Sequence, residues 1–182
     1  TAALSVPNIL AARSTGFRKE ILEPEYVTKT YSANDKIRLA TIGFGIQGIG
    51  DTVNALGVEG VEFVAACDLY KGRLTRANEL YGNDVFTTRD YREILAREDI
   101  DAVIIATPDH WHERIATDAM KAGKGVYLEK PMIKNIQEGH NLIKVQQDTG
   151  SVLQVGSQGM SGIYAAKARE LYKSGAIGDL VM

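Results

Sequence analysis

The sequence has little cysteine, little proline and no excess of positive charge. Cys67 is the single cysteine among 182 residues, so no disulfide can form within the chain. The formal net charge is −2, with no long run of Lys or Arg, which argues against binding to a nucleic-acid backbone. No apolar run approaches the roughly 18 residues of a membrane helix, so we predict no membrane span. His110 and His112 have no further His or Cys cluster near them, so we predict no metal site.

The remaining composition is that of an ordinary globular protein. Hydrophobic residues make up 45% and charged residues 24% of the chain. Eighteen glycines and four prolines, without a fixed period, exclude a fibrous chain. The length is close to the prior of about 150 residues per domain, so we expect one compact domain with its own core.

The first 34 residues show no sustained hydrophobic period. Thr1 to Ala12 is mostly apolar but is interrupted by Pro7 and lacks a charged n-region. Two interpretations stay open: the tail of an export leader, or an N-terminal arm that docks on the domain or on a partner. The first predicts a periplasmic or exported protein, and the second is compatible with a cytoplasmic one.

From residue 37 onward, strand patterns alternate with helical stripes. The predicted strands are 37–42, 61–67, 85–87, 102–106, 125–128 and 152–155. Apolar stripes predict a helix after each strand; they begin at Ile49, Leu74, Tyr91, Ile115, Ile136 and Ala165. The first stripe continues with Val53 and Leu56, and the last with Ala168, Leu171 and Tyr172. For the fifth helix, Asn135 is the predicted cap and Gly150 the predicted stop. The strand at 102–106 is apolar throughout, which indicates burial on both faces. We therefore predict an α/β fold over residues 35–177: a doubly wound, mostly parallel Rossmann sheet with helices on both faces.

A glycine-rich turn follows the first predicted strand. Gly43, Gly45 and Gly48 form GxGxxG between a strand and a helix, the context that gives this pattern meaning. Gly43 permits a tight turn, Gly45 leaves room for a pyrophosphate, and Gly48 allows close packing of helix on strand. Ile46 and Gln47 open the helix, whose free N–H groups and positive dipole end favour phosphates. The alternative is a glycine turn that serves packing alone.

An acidic residue ends the second predicted strand. Asp68 lies near the spacing of about 20 residues after the first glycine at which a carboxylate binds the adenosine ribose. Such a carboxylate repels a 2′-phosphate, so we predict NAD, with NADP less favoured. Lys71 and Arg73 are close enough in sequence to weaken that preference. The alternative for Asp68 is a helix-capping role.

Polar residues also follow the fourth and fifth predicted strands. Thr107, Pro108 and His112 come directly after the buried strand, where ligands bind in sheets of this kind. Lys130 and Pro131 follow the next strand. A lysine beside a nicotinamide can donate a proton to a ketone oxygen or accept one from a hydroxyl group. The alternative for Lys130 is a surface salt bridge.

The sixth predicted strand is followed by Gly156, Ser157 and Gln158. The Gln158 amide could form hydrogen bonds with the ribose or the carboxamide of the nicotinamide. The alternative is a polar loop without a ligand.

The ordered motifs GFGIQG, CDLY, ATPDHWH, LEKPM, QVGSQ and SGAIGDL resemble the Gfo/Idh/MocA oxidoreductases. This is the group of glucose–fructose oxidoreductase and inositol dehydrogenase. The resemblance implies that Thr107, Pro108 and His112 line the dinucleotide. It also implies that Glu129 lies beside the nicotinamide ribose and that Lys130 is the catalytic lysine. The glycines and the acidic residue after the second strand keep the roles given above.

The resemblance also implies a second domain, a β-sheet that forms the substrate pocket and often an oligomer interface. Residues 178–182 would be its start, and the complete protein would be a homo-oligomer. The implied function is NAD-dependent hydride transfer between nicotinamide and a sugar or cyclitol hydroxyl or ketone. Two alternatives remain: a glycosidase or epimerase of the same family that oxidises its substrate transiently, and a non-catalytic dinucleotide-binding subunit.

Overall fold

A computed structural model describes residues 36–179, which form a six-stranded sheet in the order β3-β2-β1-β4-β5-β6. Every neighbouring pair of strands is parallel. The strands are β1 Ile37–Ile42, β2 Val61–Cys67, β3 Phe86–Thr88, β4 Ala102–Ile105, β5 Gly125–Glu129 and β6 Leu153–Gly156. The helices are α1 Ile46–Leu56, α2 Lys71–Tyr81, α3 Tyr91–Leu95, α4 His112–Lys121, α5 Ile136–Thr149 and α6 Ile163–Lys173. The predicted α/β Rossmann fold is confirmed; the predicted arm at 1–34 lies outside the described residues.

Two hydrophobic clusters hold helices against opposite faces of the sheet. One cluster joins the central strands to α3, α4 and α5, with Ile94, Ile115 and Leu142 at its centre. The other packs Phe44 and Phe63 against residues of α1 and α2. The strand predicted to be buried on both faces is the central β4, in which Val103, Ile104 and Ile105 are buried. Within residues 36–179, no helix is both long and apolar enough for a membrane crossing.

The predicted boundaries of α5 are confirmed by its caps. The Asn135 side chain accepts a hydrogen bond from the Glu138 N–H at 3.3 Å. Gly150 ends the helix in the left-handed conformation, with φ of +64°. A polar N-cap and a C-terminal glycine are local signals, and for this reason they can be read from sequence.

The buried face of α1 matches the predicted apolar stripe only in part: Ile49 and Leu56 pack, partly buried, against the second cluster. Val53, expected to face the sheet, is 55% exposed. The buried positions are instead Gly48, Asp51 and Thr52. The Thr52 hydroxyl contacts the Thr41 hydroxyl at 2.7 Å and donates to the Gly48 carbonyl. Small and polar side chains therefore hold α1 close to β1, which hydrophobic periodicity alone cannot predict.

Smaller differences concern β3, β6 and α6. The third strand runs from Phe86 to Thr88 and the sixth from Leu153 to Gly156, each one residue later than the predicted 85–87 and 152–155. The sixth helix forms where expected, but none of its residues is fully buried, and Ala168 of the predicted stripe is exposed. Among the described residues α6 packs mainly on the turn Gln158–Ser161, so its apolar stripe is only partly covered.

Candidate functional site

The loops that carry the predicted site residues meet at one edge of the sheet. Ile42 of β1 lies opposite Cys67 of β2 and Ile105 of β4. Ile105 in turn lies opposite Leu128 of β5. Since all strands are parallel, the segments after β1, β2, β4 and β5 emerge side by side at the carboxyl edge. Ligands bind at this edge in open α/β sheets.

The glycine turn after β1 is a close approach between backbones. Gly43 has φ of +92°, and a Cβ on it would lie 2.6 Å from the carbonyl carbon of Ala106. A Cβ on Gly48 would lie 2.1 Å from the Gly43 carbonyl oxygen. Between them, the buried Phe44 side chain anchors the turn against Phe63. Both glycines are therefore required by this geometry, as predicted for a Rossmann turn.

The N-terminus of α1 is open to an anion. Gly45 is the N-cap, no side chain caps the helix, and the first turn contains no acidic residue. Ile46 and Gln47 occupy the first two helical positions and are exposed. The unpaired N–H groups of a first helical turn and the positive end of the helix dipole attract phosphate groups.

Asp68 forms an ion pair with Arg73 at the end of β2. Its Oδ2 lies 3.1 Å from Arg73 Nη1, and its Oδ1 accepts a hydrogen bond from the Tyr70 N–H at 2.8 Å. Tyr70, not Asp68, is the N-cap residue of α2. The Arg73 guanidinium also lies over the glycine turn, with Cζ 3.3 Å from the position of a Cβ on Gly45. The same cation therefore faces both the Asp68 carboxylate and the glycine turn.

A cleft opens between these loops, and its lining residues include Gly43, Asp68, Arg73, Thr107, Pro108 and Trp111. Thr107 Oγ1 is buried and has no hydrogen-bond partner among the described residues. An unpaired buried hydroxyl in a cleft wall is a ready partner for a polar ligand. The glycine turn, the uncapped helix and this hydroxyl together fit a dinucleotide.

His112 lies beneath the cleft rather than in its lining. The side chain is 1% exposed, its Nδ1 is 2.7 Å from the Pro131 carbonyl oxygen, and its Nε2 is 2.8 Å from the Thr107 carbonyl oxygen. The imidazole thus connects the loop after β4 to the loop after β5. The ring is covered by both loops, and the predicted contact of His112 with a dinucleotide stays a prediction.

Lys130 extends from the end of β5 into solvent. The side chain is 65% exposed, and its Nζ lies 3.9 Å from Glu129 Oε2. The same carboxylate oxygen accepts the backbone N–H of Lys130 at 3.1 Å. The Lys130–Pro131 peptide bond is cis, which sequence reasoning does not predict. An exposed amine beside a buried carboxylate, at the ligand edge of the sheet, can serve in proton transfer.

Sequence reasoning missed Asp51, which is part of a polar cluster beside Lys130. Gln47 Nε2 donates to Asp51 Oδ1 at 2.9 Å and contacts Glu129 Oε1 at 3.3 Å. Gln158 Nε2 donates to Glu129 Oε1 and lies 3.4 Å from Asp51 Oδ1. The Gln47–Asp51 spacing of one helical turn was the available signal. The predicted residues Gln47 and Gln158 therefore come together, but around two carboxyl groups.

Burial and like charge perturb several groups at this edge. Burial raises the pKa of Asp51 above its ordinary value, and the charge of Glu129 raises it further; hydrogen bonds from Gln47 and Gln158 oppose this. Burial likewise raises the pKa of Tyr127, with the charges of Asp51 and Glu129 adding to it. Burial raises the pKa of Cys67 to about 12, so this thiol is not a nucleophile at neutral pH.

A Rossmann dinucleotide-binding domain is the class of protein that this fold and site define. The sequence model of one family, described as an oxidoreductase family with an NAD-binding Rossmann fold, matches residues 37–157. The chain therefore belongs to the Gfo/Idh/MocA oxidoreductase family, as the sequence motifs predicted. Among the described residues there is no group of three or more His, Cys, Asp or Glu side chains that could hold a metal.

Glycosyl hydrolase family 109 proteins and inositol dehydrogenases are among the proteins to which this chain is similar. A "Glycosyl hydrolase family 109 protein 2" from Shewanella sp. (strain ANA-3) is 38% identical over 123 residues, which cover 63% of this chain and 27% of the relative. The structure of myo-inositol 2-dehydrogenase from Lactobacillus plantarum superimposes with a TM-score of 0.74 at 28% identity, over 80% of this chain and 43% of that one. The structure of scyllo-inositol dehydrogenase from Lactobacillus casei, solved with NAD(H) and scyllo-inositol, superimposes with a TM-score of 0.72 at 26% identity. The superposition covers 79% of this chain and 43% of that one. The chain thus spans about a quarter of the curated relative and less than half of the two dehydrogenases.

Proposed function

We propose that this chain is the dinucleotide-binding part of an NAD-dependent oxidoreductase that acts on a CH–OH group of a sugar or cyclitol. The observation that carries this proposal is the meeting of three features at one sheet edge. These are the open N-terminus of α1, the carboxylate of Asp68, and the amine of Lys130. The inositol dehydrogenases among the structural relatives support the substrate class.

The proposed roles follow from the positions of the residues. The glycine turn and the first turn of α1 hold the pyrophosphate, and Asp68 accepts hydrogen bonds from the adenosine ribose hydroxyls. NAD, when bound, supplies a hydride acceptor for the carbinol carbon of the substrate. Lys130 accepts the hydroxyl proton during oxidation and returns it during reduction, and Glu129 stabilises the resulting ammonium group.

The test of catalysis is Lys130→Ala in the complete protein, with Lys134→Ala as the matched control. Lys134 is also exposed and lies on the segment that leads to α5. Loss of a general acid or base costs about 10²–10⁴-fold in rate, so Lys130→Ala should lower substrate-driven nicotinamide reduction by that factor. Nucleotide binding should persist in both variants. Unchanged turnover in Lys130→Ala would favour a dinucleotide-binding subunit without catalysis.

A second candidate function is transient oxidation in a glycosidase or epimerase. The 38% identity to a glycosyl hydrolase family 109 protein favours it. In such an enzyme the hydride returns to the sugar in each cycle, and no NADH accumulates. The described site serves either reaction, since both begin with removal of the same proton and hydride.

The two candidates differ in how tightly the cofactor is kept. Denaturing the purified protein and identifying released nucleotide by mass spectrometry is the first measurement. Retained NAD or NADH supports internal recycling, whereas a protein free of nucleotide that reduces added NAD continuously supports a dehydrogenase. Release of NADP alone would overturn the proposed preference for NAD. Export and homo-oligomer formation stay predictions that need the complete protein.

A further inference from the structure

Two acidic side chains are buried together next to Lys130. Asp51 from α1 is 6% exposed, and Glu129 from the end of β5 is 3% exposed. The side-chain amides of Gln47 and Gln158 each contact both carboxyl groups. The two carboxyls therefore share one small polar pocket under the ligand edge of the sheet.

The pocket is closed on the side of β6. A Cβ on Gly156 would lie 2.6 Å from Glu129 Oε1 and 2.9 Å from the Tyr127 hydroxyl oxygen. The strand backbone thus packs directly on the carboxyl group, where a side chain would otherwise stand. Such close contact leaves Glu129 and its neighbour with little access to solvent.

Two negative charges in this pocket would be expensive. Each carboxylate loses hydration on burial, and the two charges repel, so one group keeps its proton. Asp51 Oδ2 is buried and has no hydrogen-bond partner among the described residues. A charged oxygen without a donor costs more than a neutral one, and a proton shared with Glu129 would give Asp51 a partner.

The surroundings decide which carboxyl carries the proton. Glu129 faces the Lys130 amine at 3.9 Å and accepts the Lys130 backbone N–H. Asp51 faces the neutral amides of Gln47 and Gln158. Among the described residues, the further titratable group at the pocket is Tyr127, whose raised pKa keeps it neutral at physiological pH, so that it adds no charge. The negative charge is therefore better stabilised on Glu129 than on Asp51.

We propose that Asp51 is a positioning residue that holds one proton at neutral pH and acts through Glu129 on Lys130. The protonated Asp51 keeps the pocket at a single negative charge, and that charge lies on the side of the lysine amine. Lys130 is thereby held next to one fixed carboxylate, with the substrate side of its amine free. The effect on catalysis rests on the function proposed above, whereas the protonation of Asp51 does not.

The direct test is a carbon-13 NMR titration of the 182-residue chain with labelled Asp and Glu carboxyl carbons, without nucleotide or substrate. Asp51→Asn identifies the Asp51 resonance by its loss. Asp118→Asn, on α4 and bonded to Tyr91 and Arg114, is the matched control. We expect the Asp51 carboxyl group to be protonated at neutral pH. The midpoint of its carbon-13 titration should lie at higher pH than the midpoints of the exposed aspartates. Titration together with the exposed aspartates would overturn the proposal, whatever the reaction of the protein.

A second variant keeps the test valid if Asp51→Asn does not fold, with the Asp51 carboxyl carbon then assigned by through-bond correlation to its own backbone. Glu129→Gln removes the repelling charge, so the titration midpoint of the remaining Asp51 resonance should fall. An unchanged midpoint would mean that the two carboxyls do not interact, and would refute the proposal.

The link to Lys130 is tested by pH–rate profiles of the complete protein. Asn at position 51 can still donate a hydrogen bond to Glu129, whereas Ala cannot. Loss of a hydrogen bond to a charged group corresponds to a decrease of about tenfold or more in rate. The kcat of Asp51→Asn should therefore exceed that of Asp51→Ala by about this factor. The profile of Asp51→Asn should follow the wild type at acid pH and separate from it where Asp51 loses its proton. Equal losses of kcat with parallel profiles would mean that Asp51 is only structural.

Discussion

Adding one methyl group at Gly48 should separate the packing of α1 from its intrinsic helix propensity. The Cβ of Gly48→Ala would lie 2.1 Å from the Gly43 carbonyl oxygen and 3.1 Å from Thr41 Cγ2. The nearer contact is with backbone, so no side-chain rotation can relieve it. Gly50→Ala, in the same helix, meets no atom within 4 Å and is the matched control.

The magnitudes follow from this difference in space. Alanine in place of glycine inside a helix gains about 0.5–1 kcal/mol, and this gain applies to both variants. Overpacking a site that cannot expand costs about 1–3 kcal/mol or more. Gly50→Ala should therefore be more stable than the wild type. The free energy of unfolding of Gly48→Ala should be lower than that of Gly50→Ala by about 1–3 kcal/mol or more.

Urea denaturation of the three proteins measures these free energies of unfolding, provided that the m-values agree. In thermal scans, each kcal/mol corresponds to about 2–4 °C for a chain of this size. Gly48→Ala should also bind NAD more weakly, because the displaced Gly43 carbonyl belongs to the glycine turn. Equal stability of the two alanine variants would refute the argument that the turn and α1 are in obligatory contact.

Three further predictions concern the cleft and the buried polar groups. Asp68→Ala should weaken NAD binding more than NADP binding in fluorescence titrations. Arg73→Ala should weaken NADP binding more than NAD binding. Equal weakening of both dinucleotides by Asp68→Ala would leave Asp68 a structural residue. His112→Phe keeps a buried ring but removes the two ring nitrogens that face backbone carbonyl oxygens, so urea denaturation should show a loss of about 1–3 kcal/mol, against less than about 0.5 kcal/mol for the exposed His110→Phe. The pKa of Asp51 is raised in the folded protein, so its stabilising contribution is present at acid pH and is lost as the pH rises through that pKa. The stability advantage of Asp51→Asn over the wild type should therefore grow with pH, and a difference that does not change with pH would contradict the raised pKa.

Local signals were sufficient for the order of elements and for the glycine turn. The strand at β1 and the helix between Asn135 and Gly150 were predicted with their boundaries, because alternation, caps and left-handed glycines act within a few residues. The positions of Asp68 and Lys130 at strand ends followed from parallel topology, since all carboxyl ends meet at one edge. Their roles in binding and catalysis stay predictions.

The orientation of side chains around the site could not be predicted in the same way. His112 was expected along the dinucleotide, but its ring is held between two loops that only the tertiary fold brings together. Arg73 was known to be near Asp68 in sequence, yet its position over Gly45 depends on how α2 docks on the sheet. Such contacts join residues far apart in the chain, and no local period records them.

The buried face of α1 shows why hydrophobic periodicity placed Val53 wrongly. A helix that must bring its first turn to a phosphate packs closer to its strand than bulky side chains would permit, so glycine and threonine occupy the inner face. The next inner position, Asp51, then lies against the end of β5 rather than against the apolar core. The glycine turn fixes α1 so that the Asp51 carboxyl group lies next to Glu129. A second negative charge at this buried position would destabilise the fold unless the carboxyl group is protonated. The close approach of α1 to β1 thus shapes the glycine turn and also places Asp51 next to Glu129, beside Lys130. An amphipathic pattern records neither the close approach nor the acidic pair.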